Sequence, residues 1–221
     1  MIADVGFVGF PNAGKSTLLG AISQACPKIA PYPFTTLAPH IGMVDFADGF
    51  SLSVADLPGL VEDAHLNVGL GHEFLRHIER TRLLTYVVDA AHSNDLMRDF
   101  DTLYNEVRLY NQALARKPSI VVTKKCDLRT DATLEKINRF HADLKARRAA
   151  EGLDTFPILP VSARHADGIP RLVRKMRKVI EGTAPVRQHI TTQIDFEREE
   201  ATVPSDQDCT MLPLLRSALM T

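Results

Sequence analysis

Gly9-Phe10-Pro11-Asn12-Ala13-Gly14-Lys15-Ser16 is a complete G-x-x-x-x-G-K-S run, and its fixed positions each have a chemical task. Glycines let successive backbone N–H groups turn inward around phosphate oxygens. The Lys15 ammonium can reach β- and γ-phosphates, and the Ser16 hydroxyl can ligate Mg²⁺. Pro11, Asn12, Ala13 and Thr17 complete the expected set of loop contacts. An apolar run, Ile2–Val8, precedes the loop as a strand, and a helix beginning at Gly14 offers its positive end to anions. A chance glycine-rich turn is the competing reading, and this strand–loop–helix context weighs against it.

A second element, Asp56-Leu57-Pro58-Gly59, follows the strand-like Leu52–Ala55 some forty residues later. In this D-x-x-G pattern Asp56 would hold Mg²⁺ through water, and the Gly59 amide could meet the γ-phosphate. The alternative is an ordinary Pro-Gly turn. Between the two elements lies Tyr32-Pro33-Phe34-Thr35-Thr36. A threonine hydroxyl here can complete Mg²⁺ coordination when a γ-phosphate is present, and spacing does not separate Thr35 from Thr36. Further on, Ser119–Thr123 reads as a buried strand followed by Lys124-Lys125-Cys126-Asp127. An Asp127 carboxylate can accept both the N1–H and the exocyclic amine of guanine, a donor pair that adenine does not present. Ser162-Ala163-Arg164 offers a backbone N–H to the guanine O6 and a guanidinium to stack on the base. In this order the elements favour GTP and GDP as ligands.

The elements that must position these residues alternate along the chain. Strands are expected at Ile2–Val8, Ile41–Phe46, Phe50–Asp56, Leu83–Asp89, Ser119–Thr123 and Phe156–Val161, and helices near Gly14–Gln24, Gly69–Arg80, Asp95–Ala115, Thr133–Ala150 and Ile169–Glu181. In the third helix Leu96, Phe100, Leu103, Val107, Tyr110 and Leu114 recur at steps of four and three, so they share one face. Alternating strands and helices predict an α/β fold, a mainly parallel sheet covered on both faces. Such sheets bind ligands at the carboxyl ends of their strands. The expected organisation is one G domain of the P-loop NTPase class over residues 1–182, with a polar tail over 183–221 that stays disordered or ends in a short helix.

The chain has 221 residues, 45% of them hydrophobic, and a formal net charge of -1, so bulk electrostatic attraction to nucleic acid is not expected, although a local patch remains open. Cys26, Cys126 and Cys209 are widely spaced without a C-x-x-C pair, against a disulfide framework or zinc site. No run of about 18 apolar residues predicts a membrane span.

At this point the chain resembles the Obg-type GTPases. The resemblance rests on Ile2 to Thr17, on Tyr32-Pro33-Phe34-Thr35-Thr36-Leu37, on Ala55-Asp56-Leu57-Pro58-Gly59-Leu60, and on the long stretch Gly69-Leu70-Gly71-His72-Glu73-Phe74-Leu75-Arg76-His77-Ile78-Glu79-Arg80-Thr81. It covers about residues 2–181. It implies guanine-nucleotide switching in assembly of the large ribosomal subunit, with a subunit precursor or ribosomal RNA as partner, for a monomer. It favours Thr36 over Thr35 as the Mg²⁺ ligand beside Ser16 and Asp56. The wording from Ala64-His65 to Gly69 and the polar tail look most similar to the animal mitochondrial subgroup, implying a mitochondrial address, with cytoplasm or nucleolus as alternatives.

Two departures matter. The family carries a glycine-rich N-terminal domain, and Met1 falls where the family continues a strand. That domain is therefore expected to be absent, as in a fragment, an alternative start or an incomplete gene model. The family's base motif is Asn-Lys-x-Asp: Lys125 and Asp127 match it, but Lys124 stands in the Asn place. A lysine only donates, whereas an amide also accepts, so weaker guanine affinity is expected.

The catalytic set expected is Lys15, Thr36, Gly59 and Asn12. Ras-like switches orient water with a glutamine after D-x-x-G; here that position is Leu60, and intrinsic hydrolysis should be slow. Similar GTPases with a hydrophobic residue there and an asparagine at the Asn12 place can use K⁺ as the missing charge. The alternative is that Asn12 only supports the loop. Two rival readings stay open: a degenerate guanine-nucleotide-binding module with little turnover, and an ATPase with altered base specificity.

His72 and His77 lie roughly 140° apart on a helix, which argues against shared metal ligation. Arg171, Arg174, Lys175 and Lys178 fall on one helical stripe opposite Leu172, Met176, Val179 and Ile180. The stripe is either the solvated face of an amphipathic helix or a contact for RNA phosphates.

Overall fold

The computed structural model describes residues 3–23, 28–29, 39–57, 79–124 and 131–183. Among these, seven strands form one sheet in the order β2-β3-β4-β1-β5-β6-β7. They are β1 (Val5–Val8), β2 (Lys28–Ile29), β3 (His40–Asp45), β4 (Ser51–Asp56), β5 (Leu83–Asp89), β6 (Ser119–Lys124) and β7 (Ile158–Pro160). The pairs β1–β4, β1–β5, β5–β6 and β6–β7 are parallel, while β2–β3 and β3–β4 are antiparallel. The helices are α1 (Lys15–Ile22), α2 (Leu96–Tyr110), α3 (Gln112–Ala115), α4 (Asp131–Ala150) and α5 (Ile169–Thr183). None is long and apolar enough to cross a membrane.

The central strands are apolar on both faces because helices cover both. Along β5 successive side chains alternate between the two cores: Leu84, Tyr86 and Val88 join one, and Leu83 and Val87 the other. The first core is aromatic. The Phe100 ring of α2 meets Tyr86 at 5.5 Å, Tyr104 at 5.7 Å, and Phe140 and Phe156 at 6.0 Å. The second packs Leu18, Leu19 and Ile22 of α1 and Leu172, Met176 and Ile180 of α5 onto β1, β4 and β6.

The α2 face follows the expected period, with Leu96, Phe100, Leu103 and Val107 buried. Its start is set by Asp95, whose carboxylate accepts from the Met97 and Arg98 amides at 3.0 and 3.1 Å. The expected continuous helix Asp95–Ala115 is instead broken at Asn111. That residue is extended (φ -154°), and its side chain caps a new short helix by accepting from Ala113 at 2.9 Å. An asparagine side chain competes with the helical backbone for hydrogen bonds, which apolar periodicity does not register. The strand expected over Ile2–Val8 begins only at Val5, and β2 was not foreseen. The helix expected at Gly69–Arg80 lies outside the described residues except for its last two, as does the tail beyond Thr183.

Candidate functional site

The carboxyl ends of β4 and β6 both touch the loop that joins β1 to α1, through Asp56 and Lys124. Backbone torsions explain its shape. Asn12 and Gly14 are both left-handed, at φ 61° and 87°, a conformation that glycine adopts freely and asparagine tolerates. Gly9 is required for a different reason: a Cβ there would meet the Val87 carbonyl at 2.6 Å. Gly14 caps α1 and accepts its first hydrogen bond, from Leu18 at 3.0 Å, while no side chain among the described residues caps the helix. The first amides of α1 are thus left to an anion.

Lys15 is 6% exposed, and its ammonium donates to the Gly9 and Phe10 carbonyls at 3.0 Å each. Burial lowers its pKa, and the neighbouring Asp56 carboxylate partly offsets that. The Ser16 hydroxyl donates to Asp56 Oδ2 at 2.5 Å, fastening the phosphate loop to the end of β4. Asp56 is buried, and its other oxygen, Oδ1, has no hydrogen-bond partner among the described residues. A hydroxyl beside a buried carboxylate with a free lone pair is an oxygen donor set that suits Mg²⁺. Pro11 and Asn12 are exposed and Ala13 buried, while Thr17 is exposed at the start of α1.

Lys124 makes a contact that the sequence did not predict. It extends β6 by one residue, is 3% exposed, and its ammonium donates to the Gly14 carbonyl. A Cβ at Gly14 would collide with that ammonium. The donor half of an amide is therefore reproduced by the lysine, which reaches the phosphate loop from the base-reading strand. Sequence spacing could not reveal a contact across 110 residues. Lys124→Met keeps the buried stem and removes the donor. It is expected to weaken GDP binding about tenfold, from the ~1.5 kcal/mol of one charged hydrogen bond. A fluorescence titration with labelled GDP reads this, and unchanged affinity would show that the tether does not support the loop.

At the end of β7, Ser162 and Ala163 are buried and Arg164 is exposed. Ser162 Oγ accepts from the His165 amide at 3.2 Å, and the Ser162 amide donates to Asp167 at 3.0 Å, which shapes the turn. One positioning element was missed. Asp89, at the end of β5, accepts from the Ala91 and His92 amides at 3.1 and 3.3 Å and orders the loop beside Lys124. The expected contacts at Phe34, Thr35, Thr36, Gly59, Lys125 and Asp127 lie outside the described residues, as do Leu60, His72 and His77.

Residues 4–125 match a family model described as "50S ribosome-binding GTPase". The chain is similar to the GTPase Obg of Methylacidiphilum infernorum (isolate V4), 49% identical over 183 residues, which is 82% of this chain and 48% of that protein. It is similar also to the GTPase Obg of Symbiobacterium thermophilum, 46% identical over 187 residues, covering 84% of this chain and 42% of that protein. The chain thus spans about half the length of the curated relatives it matches. Among solved structures, an Era variant from Aquifex aeolicus bound to GDP and AlF4⁻ superposes with a TM-score of 0.58 at 25% identity, over 83% of this chain and 57% of that one.

Proposed function

Because the chain belongs to the 50S ribosome-binding GTPase family, we propose that it binds GTP and GDP, hydrolyses GTP to GDP and phosphate, and acts as an Obg-type switch in assembly of the large ribosomal subunit. The observation that carries this reading is the junction of the phosphate loop with β4, the 2.5 Å bond from Ser16 Oγ to Asp56. It supports the reading because a hydroxyl and a carboxylate, two oxygen donors of the kind Mg²⁺ takes, lie side by side at the loop.

The chain's own residues divide the work. On binding, the Lys15 ammonium exchanges the Gly9 and Phe10 carbonyls for β- and γ-phosphate oxygens, and the first amides of α1 hold further oxygens. Ser16 and Asp56, with Thr36, would hold Mg²⁺, which would supply neutralisation of phosphate charge. The Gly59 amide meets the γ-phosphate. Asp127 and the Ala163 amide read guanine, with Lys125 and Arg164 flanking the base. Leu60 has no hydrogen-bonding group with which to orient water, so turnover is slow. Asn12 with the loop before Thr36 would form a K⁺ site in this reading; the alternative is that Asn12, left-handed at φ 61°, only supports the loop.

Single-turnover hydrolysis in matched K⁺ and Na⁺ buffers tests the proposal. Slow, Mg²⁺-dependent release of phosphate, faster in K⁺, is expected. Equal rates in the two salts would remove the K⁺ site. Tight GDP binding without turnover would select the degenerate binding module, and effective displacement of labelled GDP by ATP would overturn the guanine assignment. The mitochondrial address is also proposed, supported by the resemblance over Ala64–Gly69 and checked by imaging of the tagged full-length protein.

A further inference from the structure

Far from the phosphate loop, at the sheet edge formed by β7, α4 and α5 enclose a groove of about 530 Å³. Its floor is the segment 155–159. Its walls carry His141 and Lys145 from α4 and Arg171, Arg174, Lys175 and Lys178 from α5, with no carboxylate among the described residues that line it. The α5 stripe was legible in the sequence; its convergence with a second basic helix was not. Leu172, Met176 and Ile180 are buried on the opposite side of α5 and fix this orientation.

Four other cations of the same two helices are engaged. Lys136 donates to the Ser93 carbonyl at 2.7 Å, and Arg147 pairs with Asp101 at 2.6 Å. Arg148 donates to the Asp154 carbonyl at 2.8 Å, and Arg177 holds Asp48 and Glu181. None of the six groove residues has an ion-pair or hydrogen-bond partner among the described residues. In a chain of net charge -1, five formal positive charges and a histidine are gathered on one groove, a charge distribution that attracts anions.

The groove's construction narrows the anion. A peptide adding a strand to β7 needs outward backbone groups, and these are the alternate residues Ile158 and Pro160, since Pro157, Leu159 and Val161 face β6. Pro160 has no N–H, and its carbonyl is crowded by the backbone of Gly168. Base stacking is also unsupported: Phe156 is 8% exposed, with the Arg148 guanidinium 3.9 Å over its ring. Charged side chains on two walls, over a strand edge interrupted at Pro160 and without a stacking platform, suit a ridge of phosphates.

We infer that this groove binds the sugar–phosphate backbone of duplex RNA, without sequence preference. The choice of RNA among nucleic acids rests on the ribosome-associated reading proposed above. The experiment is fluorescence anisotropy of a labelled 20-base-pair RNA duplex, as a function of salt, with the full chain. For about four phosphate contacts, affinity should fall roughly a hundredfold between 50 and 200 mM salt. The triple variant Arg171→Glu, Arg174→Glu, Lys178→Glu should lose at least tenfold in affinity and flatten the salt slope. Arg98→Glu with Arg108→Glu, exposed charges on α2 outside the groove, should bind as the parent does. Unchanged GDP affinity and melting temperature in both variants establish that they fold and keep the nucleotide site apart from the result. No duplex binding, or equal loss in the two variants, would overturn the groove assignment while leaving GTP binding and hydrolysis, measured on the same samples, to be judged separately. Displacement of the duplex by polyglutamate at equal charge concentration would overturn RNA in favour of an acidic protein segment.

Discussion

Lys15→Ala is expected to weaken GTP and GDP binding by more than a hundredfold and to abolish hydrolysis. The ammonium is nearly buried at the centre of the loop, where its Nζ is held by two carbonyls 3.0 Å away. Removing one partner of a buried charge pair costs about 3 kcal/mol or more, which corresponds to the stated loss. Titration with labelled GDP and single-turnover hydrolysis measure it. The same substitution has a second signature in the nucleotide-free protein. Burial holds the folded pKa of Lys15 below its ordinary value of 10.5. Between the folded value and 10.5 the unfolded chain therefore binds more protons than the folded one, so stability rises with pH across that window. Lys117, whose pKa is also lowered by burial, contributes with the same sign. Lys15→Ala should remove the Lys15 share of the slope and leave that of Lys117. Urea midpoints from pH 7 to 10 would show this, and an unaltered slope would mean that the Lys15 charge is solvated in the folded state.

The second large effect is expected at Asp56. Asp56→Asn keeps the size of the side chain and an acceptor for Ser16, but removes the negative charge and the free lone pair at Oδ1. GDP affinity without Mg²⁺ should change less than severalfold. The Mg²⁺-dependent gain in affinity should disappear, and hydrolysis should fall by two orders of magnitude or more, an electrostatic loss of about 3 kcal/mol at the transition state. Mg²⁺ titrations of nucleotide release and phosphate production measure both. A variant with ordinary Mg²⁺ dependence would remove Asp56 from the metal site.

Much of this site was legible because its parts are local. Gly9 to Ser16 lie on one turn, and the torsional demands at Gly14 and the charge of Lys15 follow from residue type. The alternation of apolar runs and amphipathic stretches was enough for the α/β fold, since burial on both faces of a parallel sheet imposes it. The break at Asn111 was less accessible, because a capping side chain opposes the apolar period that runs through it.

Lys124 and the groove mark the other side of that boundary. From the sequence Lys124 is a departure from a base-reading motif; in the fold it is a tether to Gly14, because the parallel order β1-β5-β6 brings two strand ends together across 110 residues. The basic stripe on α5 has helical spacing, but only packing turns it toward His141 and Lys145 of α4 across β7. Residue type and near spacing determine which chemistry a segment can perform, since both act within a few bonds. Which segments share a site depends on strand order and on the hydrophobic faces that dock each helix, and these emerge only when the whole core is buried.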